Sequence, residues 1–535
     1  MTWLADLSPY TLHPNSELRA VGWLERGRDY SKGRVSEGFI QKLRQLATDP
    51  WLPYRSLGVH FCDFCDNAEG ANIVADDEDL SGKVAGTIEF FVPGKSVVYV
   101  VPSLILHYIE AHDYYPPPEF MKAVWACPPM GTEPYLKAIR DNGGSCLIDH
   151  PTRQVSMNNS ANHDNYMWQA LELAHKGGSW VSPNPKVGAV VVRDDGVILG
   201  QGWHQQYGGP HAEVFALQEA RDKARGATLY CTLEPCNHTG KTPPCTQAVI
   251  AAGIKTVVVG SLDPNPVASG GIATLRSAGI DVVTGVLEAE CRALNAPFFK
   301  AMQSGLPFVS LKWAMSADGK IAAAGGDSKW ITSEASRAYA HRLRANHDAV
   351  LVGINTLIAD GARLNARAES GAPALRQRRR VILDSSARTP LDAPIFSAEG
   401  GAIVLVCATD APADRVAALQ SRGATVISLP RQGSAIPIDA VLKALLRERI
   451  QSVLVEGGGS VLGSFADSRC ADRAYIFIAP KIIGGRESVA AVGGHGVSRV
   501  AECLELRSPR VDRLGSDVLM TGALSAWDWD DGVSL

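Results

Sequence analysis

A layered α/β architecture is predicted by three observations. Apolar runs of strand length alternate with segments of helical spacing between residues 164 and 300. The same rhythm returns between residues 301 and 530. The chain has 535 residues, which at about 100–200 residues per domain is room for three or four domains. The boundaries expected are an accessory domain over 1–150, a linker over 151–163, and two catalytic-sized domains over 164–301 and 302–530. The linker, PTRQVSMNNSANH, is polar, and its Met157 resembles the start of an independent protein, which points to a fusion.

The elements follow in order. In the first segment, Gly86–Val92 and Ser96–Val101 read as strands around Pro93-Gly94, giving a small α+β fold. Asp164–His175 has helical spacing. Val187–Gly202 reads as a hairpin turning at Asp194-Asp195-Gly196. A helix over His211–Arg225, a strand over Ala227–Glu234, a helix over Cys245–Ala252 and a strand over Thr256–Gly260 come next. Beyond them the strand candidates are Pro307–Met315, Ala349–Val352, Arg380–Leu383, Ala402–Cys407, Ser452–Val455 and Tyr475–Ala479. Helices are expected over Ser333–Asn346, Ala413–Arg422 and Ile438–Arg447. Ala366–Arg379 is polar and irregular, the pattern of a surface loop.

Composition narrows the classes of function. The chain is 46% hydrophobic and 20% charged, with a net charge of −4, so nothing marks it as a nucleic-acid binder. Residues 1–150 carry 13 Lys+Arg against 20 Asp+Glu and are the acidic segment; the remainder carries 39 against 36. The best apolar run, Val97–Ile109, is broken by Pro102-Ser103 and falls short of the roughly 18 residues a membrane span needs. The N-terminus has no basic-then-apolar leader. A cytosolic protein with no membrane partner is expected, its eleven cysteines serving as free thiols and metal ligands.

Residues 211–245 carry the strongest chemical signal. His211-Ala212-Glu213 precedes Thr232-Leu233-Glu234-Pro235-Cys236 and Pro243-Pro244-Cys245. A catalytic zinc takes three protein ligands and leaves one position open; His211, Cys236 and Cys245 supply three. Pro210 and Pro244 precede ligands at apparent helix starts, where proline is tolerated and the dipole favours thiolate. Zinc-bound water has a pKa near 7, and Glu213 is placed to carry its proton to a leaving amine rather than to ligate. Eight residues separate the cysteines, against two in nucleobase deaminases. This polar insert with Lys241 suits a phosphate-bearing substrate.

The run TLEPCNHTGKTPPC, with SPNPKVGAVVV (Ser182–Val192) and GGPHAEVFAL before it, closely resembles the bifunctional deaminase–reductase family of riboflavin biosynthesis. The likeness continues through DPNP (Asp263–Pro266), LKWAMSADGKIA (Leu311–Ala322), SKWIT (Ser328–Thr332), VEGGGSVLGSF (Val455–Phe465) and IAPKIIGG (Ile478–Gly485). It implies a cytidine-deaminase-like three-layer domain followed by a dihydrofolate-reductase-like α/β domain. It implies zinc-dependent deamination of 2,5-diamino-6-(5-phosphoribosylamino)pyrimidin-4-one, then NADPH reduction of the ribosyl arm to 5-amino-6-(5-phosphoribitylamino)uracil. By this resemblance His211, Cys236 and Cys245 are the zinc ligands and Glu213 the proton carrier, while Asn184 and His204 contact substrate. The implied NADPH contacts are Ala314, Trp330, Thr356, Asp360, Ser385 and the loop Gly458, Gly459, Ser460, Val461, Leu462, Gly463, Ser464. The implied reductase substrate contacts are Ser328, Arg344, Leu364, Arg367 and Glu456. Taken alone, Arg344 on a polar helix reads as a solvated surface residue. A homo-oligomer assembled through the reductase domain is also implied.

One run departs from the family, where a second aspartate, a proline and Leu-Thr follow the first aspartate. Here Asp360 is followed by Gly361-Ala362-Arg363-Leu364-Asn365, and a looser loop with one charge fewer is expected. The departure leaves open a related pterin- or flavin-like metabolite, or a deaminase with a scaffold reductase domain and an N-terminal regulatory module.

The first 150 residues lie outside the resemblance. Cys62-Asp63-Phe64-Cys65 with His107 and His112 form a candidate four-ligand structural zinc site. The acidic run Asp76–Asp79 reads as a solvated loop.

Overall fold

The computed structural model describes residues 6–8, 18–24, 29–48, 60–61, 85–86, 89–144, 147, 160–240, 242–367, 378–397 and 399–525. The chain divides into two compact units, residues 1–156 and 157–533.

In the first unit, strands β1 (Leu18–Ala20), β2 (Glu89–Pro93) and β3 (Val98–Pro102) form a sheet of order β1-β3-β2. The hairpin β2–β3 is antiparallel and turns at Pro93-Gly94, where the Gly94 N–H bonds the Val97 carbonyl at 2.9 Å. Helices α1 (Glu37–Thr48), α2 (Ile105–His112), α3 (Pro118–Ala126) and α4 (Glu133–Ile139) complete the unit. Phe39, Phe90, Phe91, Tyr108 and Phe120 fill one apolar core. Buried Tyr135 donates its hydroxyl to the Phe91 carbonyl at 2.7 Å, so the ring is buried without orphaning its polar end.

The second unit holds two large sheets and a two-stranded antiparallel ribbon, Lys320–Ala322 against Val489–Ala490. Helix α5 (Ser160–Lys176) leads into strands β4 (Gly188–Val192) and β5 (Ile198–Trp203), then α6 (Ala212–Ala220), β6 (Thr228–Leu233), α7 (Cys245–Ala252), β7 (Thr256–Ser261), α8 (Gly271–Ser277), β8 (Asp281–Thr284), α9 (Glu288–Leu294) and α10 (Ala296–Ser304). The sheet order is β8-β7-β6-β4-β5, with the first three strands parallel and β4 and β5 antiparallel. Alternate side chains serve opposite layers. Val190 and Val192 pack with Met167 and Leu171 of α5, while Ala189 and Val191 pack with Ala212 and Ala216 of α6. Helix α6 is shorter than the periodicity predicts: Arg221, at φ 51°, ends it, and a 3-10 turn over Arg221–Ala224 follows.

The remaining chain runs β9 (Phe308–Ser316), α11 (Glu334–Asn346), β10 (Ala349–Gly353), α12 (Ile354–Asp360), β11 (Arg379–Leu383), β12 (Ile403–Ala408), α13 (Ala413–Ser421), β13 (Thr425–Leu429), α14 (Ile438–Arg447), β14 (Ser452–Val455), α15 (Gly459–Asp467), β15 (Arg473–Ala479), β16 (Arg507–Leu514) and β17 (Asp517–Ala523). The nine strands lie in the order β13-β12-β11-β10-β14-β9-β15-β17-β16. They are parallel from β13 to β15, with an antiparallel hairpin, β17–β16, closing the edge. Helices cover both faces, as a parallel sheet requires. Val441 and Leu445 of α14 and Phe465 of α15 meet Val404, Val406 and Val453 on one side. Ile354 and Leu357 of α12 and Leu419 of α13 meet Val352 and Leu405 on the other.

Candidate active sites

In the first of the two sheets, loops bring the predicted metal ligands together. His211 is the residue before α6, Cys245 is the first residue of α7, and Cys236 lies just beyond β6. His211 Nδ1 lies 3.5 Å from Cys236 Sγ and 3.2 Å from Cys245 Sγ, and the three donor atoms lie within 4.8 Å of one another. Bonds of about 2.0–2.1 Å to nitrogen and about 2.3 Å to sulfur set tetrahedral edges of about 3.5–3.8 Å, so the set fits zinc. The donors compete for protons. Cys236 is drawn down to about 4, chiefly because the Cys245 thiol donates to it, with His211 and the Cys245 backbone N–H adding to the pull against burial. Cys245, the donor and itself buried, moves up. A dication relieves that competition by taking a lone pair from each.

Glu213 sits in the first turn of α6, buried. Its Oε2 has no hydrogen-bond partner among the described residues, and burial, more than any neighbouring charge, raises its pKa. A buried orphan oxygen costs free energy unless a ligand satisfies it. It faces a cavity of about 250 Å³ also lined by His211, Cys236, Asn184 and His204. His204 Nδ1 lies 2.9 Å from the Pro210 carbonyl and its Nε2 lies 3.1 Å from Asn184 Nδ2. Nδ1 must donate to a carbonyl, so Nε2 accepts from the Asn184 amide, and Asn184 keeps Oδ1 for another donor. Burial lowers the His204 pKa and keeps the ring neutral.

Sequence reasoning missed four residues here. Asp263 and His238 line the cavity; burial pushes Asp263 up to about 6, and His238 Nδ1 is another buried orphan. Tyr207 also lines it and receives a bond from Arg449 Nη1 at 3.3 Å. Glu234 braces it, accepting from the N–H groups of Asp263, Gly270 and Ile272 at 3.2, 3.1 and 3.1 Å. The DPNP run held the signal for Asp263, but not its role. Lys241 lies outside the described residues.

In the larger sheet the predicted contacts gather at the carboxyl ends of parallel strands, where such sheets bind ligands. Gly458 and Gly459, after β14, open α15, which carries Ser460, Val461, Leu462, Gly463 and Ser464. Thr356 of α12 accepts from the Gly458 N–H at 2.9 Å. Glu456 receives Arg344 through two bonds, Nε at 2.7 Å and Nη2 at 2.9 Å, with Lys312 Nζ 3.7 Å away. Arg344 is therefore no solvated surface residue: the carboxylate and the Asn365 carbonyl, 3.1 Å from Nη1, hold it in place. These cations hold the Glu456 carboxyl at about 2 despite burial.

Ser328 Oγ reaches Asp360 Oδ1 at 3.5 Å. Trp330 is 67% exposed, with the Arg337 guanidinium 4.7 Å from its ring centre. Ala314 lies on β9 against the Phe477 cluster, and the Ser385 carbonyl accepts from Arg431 Nη2 at 3.0 Å. Leu364 is buried in the α12 core and Arg367 is exposed. Gly361 does more than loosen the loop. At φ 55° it caps α12, its N–H bonding the Leu357 carbonyl, in a left-handed conformation that glycine adopts without strain.

In the first unit, His107 and His112 meet, Nε2 to Nε2 at 3.1 Å. Cys62, Cys65 and the Asp76–Asp79 run lie outside the described residues.

Comparison with known proteins agrees with this geometry. Residues 160–261 match the cytidine and deoxycytidylate deaminase zinc-binding region, residues 307–520 match the RibD C-terminal domain, and residues 2–125 match a domain of unknown function. The chain is 44% identical over 357 residues to the riboflavin biosynthesis protein RibD of Aquifex aeolicus, covering 66% of this chain and 97% of that one. It is 36% identical to the Escherichia coli protein of the same name, covering 66% and 97%. Among solved structures it is similar to Acinetobacter baumannii RibD, at 36% identity and TM-score 0.62, covering 69% of this chain and all of that one. It is also similar to the diaminohydroxyphosphoribosylaminopyrimidine deaminase/5-amino-6-(5-phosphoribosylamino)uracil reductase of Thermotoga maritima, at 37% identity and TM-score 0.60, with 69% and 100% covered. These matches favour riboflavin biosynthesis over a pterin-like pathway.

Proposed function

We infer, from a chain that belongs to the RibD family of bifunctional riboflavin-biosynthesis deaminase–reductases, which residues perform the two reactions. The family's deaminase half uses zinc and its reductase half NADPH. The observation that carries the reading is the convergence of His211 Nδ1, Cys236 Sγ and Cys245 Sγ in one cavity with the orphan Oε2 of Glu213.

His211, Cys236 and Cys245 would hold zinc, which supplies a water acidified to near neutrality. Glu213 takes the proton from that water at Oε2 and delivers it to the departing amine. Its burial raises the carboxyl's basicity, which suits both halves of the transfer. Asn184 Oδ1 accepts from an N–H of the pyrimidine, its amide held the right way round by His204. The substrate read here is the phosphoribosylamino diaminopyrimidinone, a small phosphorylated base and not a nucleic acid. In the reductase half, NADPH supplies a hydride to the ribosyl arm. The Gly458–Ser464 segment would hold its pyrophosphate through the backbone N–H groups of Gly459 and Ser460 at the start of α15. Arg344 spends three N–H bonds on Glu456 and Asn365, so it orients Glu456, and the exposed Arg367 is left for the substrate phosphate.

The deciding experiment is incubation with the diaminopyrimidinone substrate, with and without NADPH, followed by mass analysis. Amine loss alone is expected without NADPH, and amine loss with gain of two hydrogens when it is present. Amine loss without gain of hydrogen in both arms would remove the reductase assignment.

We also propose a homo-oligomer built through the reductase half, checked by light scattering. A cytoplasmic location fits, since it keeps Cys236 and Cys245 reduced. Among the described residues no helix is long and apolar enough to cross a membrane. For the first unit we propose a structural zinc ion on His107, His112, Cys62 and Cys65. The 3.1 Å nitrogen separation supports it, being close to a tetrahedral edge between two imidazole ligands. Metal analysis should give two zinc ions per chain, falling to one in Cys62→Ala; one ion in both proteins would dismiss the second site.

A further inference from the structure

The loop joining β5 to α6 starts from His204 and ends on His211, two residues of the deaminase cavity. Tyr207, in its middle, lines the cavity and is 36% exposed, so it stands at the mouth. The loop is pinned from within. The Tyr207 N–H bonds the Trp180 carbonyl and the Gly209 N–H the Gln206 carbonyl, both at 3.0 Å, while the Pro210 carbonyl accepts from His204. The Tyr207 hydroxyl is reached from the reductase half. Arg449, 242 residues further along the chain, donates to it through Nη1 at 3.3 Å.

Arg449 stands where a glycine is expected. It follows the last turn of α14, Glu448 is the cap, and the Ile450 N–H returns to the Leu445 carbonyl at 3.1 Å. This closure needs a left-handed residue between cap and returning N–H, and Arg449 has φ 60°. Helices α7, α8 and α13 close the same way with Gly253, Gly279 and Gly423, at φ 69°, 81° and 86°. Helices α14 and α15 place arginines there, and a side chain at that dihedral costs free energy. Each arginine reaches a distant segment. Arg469, at φ 52°, donates through Nη2 to the Glu502 carbonyl at 2.8 Å, and Arg449 donates to Tyr207. Arg449 is exposed, so packing does not offset its strain, and among the described residues its one side-chain hydrogen bond is the one to Tyr207.

We propose that Arg449 is a positioning residue of the deaminase reaction, supplied by the reductase half. Its guanidinium holds the Tyr207 ring in place as one wall of the cavity mouth, so the deaminase pocket is complete only with the reductase half beside it. The proposal rests on the deaminase reading above. Tyr207 stands at the mouth, away from the proton transfer at Glu213, so its placement acts on substrate binding more than on turnover. The reductase reaction is spared. Arg449 precedes β14 and the glycine turn follows it, so the two lie at opposite ends of that strand.

The test is steady-state kinetics of ammonia release, and of NADPH oxidation with the deaminated intermediate, on the full chain and its Arg449→Gly, Arg449→Lys and Tyr207→Phe variants. Arg449→Gly should raise the deaminase KM by about three- to ten-fold, with kcat and the reductase kinetics unchanged. Its urea midpoint should hold or rise, because glycine adopts this dihedral without strain. Arg449→Lys should recover part of the KM. Tyr207→Phe should raise the KM similarly, and adding Arg449→Gly to it should change little further, since both remove one interaction. An unchanged KM in Arg449→Gly, or independent effects in the double variant, overturns the proposal and leaves the deaminase reading intact. A fall in urea midpoint with parallel loss of both activities overturns it too, by making Arg449 a structural residue. Wild-type protein that releases no ammonia overturns the deaminase reading and the proposal together.

Discussion

At the scale of single residues, Glu213 illustrates how position creates chemistry. The first turn of α6 buries an ordinary glutamate, with one oxygen unpartnered among the described residues, beside a three-donor cluster, the setting the proposed proton carrier needs. Glu213→Gln keeps the shape and removes the basic oxygen. Deaminase turnover should fall by about 10²–10⁴-fold, with zinc content and NADPH-dependent reduction of the deaminated intermediate unchanged. Loss of zinc in this variant would make Glu213 a structural residue instead. His211, Cys236, Cys245 and Glu213 were legible as residue types at known spacing. Glu234 was not: its work is to receive three backbone N–H groups, and no side-chain motif announces which carboxylate a loop will fold around.

At the scale of elements, close packing ties the reductase glycine turn to a distant loop. A Cβ on Gly463 would lie 2.3 Å from the Gly493 carbonyl carbon and 2.4 Å from its oxygen. Both atoms are backbone, so α15 would have to move. Gly463→Ala should cost about 1–3 kcal/mol and raise the KM for NADPH, leaving deamination near wild type. A variant matching wild type in urea unfolding and in KM would show that the loop yields freely. The Val- and Ile-rich strands and the helices between them were readable from periodicity because both faces of a parallel sheet are buried. Strand β16 was not readable: it lies on the sheet edge, is largely exposed and carries three arginines, so its pairing with β17 fixes its conformation without leaving an apolar pattern. Nor did periodicity show α6 ending at Ala220, since the Arg221 dihedral breaks the helix while helical-looking residues continue.

At the scale of the second unit, its two halves share a buried ion pair. Lys300 of α10 bonds Asp472, which also accepts from the Val309 N–H at 2.7 Å and Ser525 Oγ at 3.2 Å. Asp472→Ala strands a charged Lys300 in the interior, a loss of about 3–5 kcal/mol, and both activities should become more heat-sensitive together. Independent loss of one activity would show that the halves unfold separately. Stability should also follow pH. Burial lowers the His347 pKa from 6.5 to about 4, with its ring nitrogens bonded to Leu343 O and Ser310 Oγ. The unfolded chain therefore takes the proton first, so this contribution is full above about 6.5, declines as pH falls and levels off near 4. His347→Asn should flatten the fall in urea midpoint across that window; an unchanged slope would assign it to other groups. The sequence by itself determined the layered fold class, the candidate metal ligands and the family, because these rest on local periodicity and on residue types at short spacing. Only the tertiary structure decided that Arg344 is bound to Glu456, that His204 meets Asn184, and that Thr356 receives the Gly458 N–H of the glycine turn. Each of these depends on which charges and hydrogen-bond partners meet across distant segments, and chain spacing alone does not encode that.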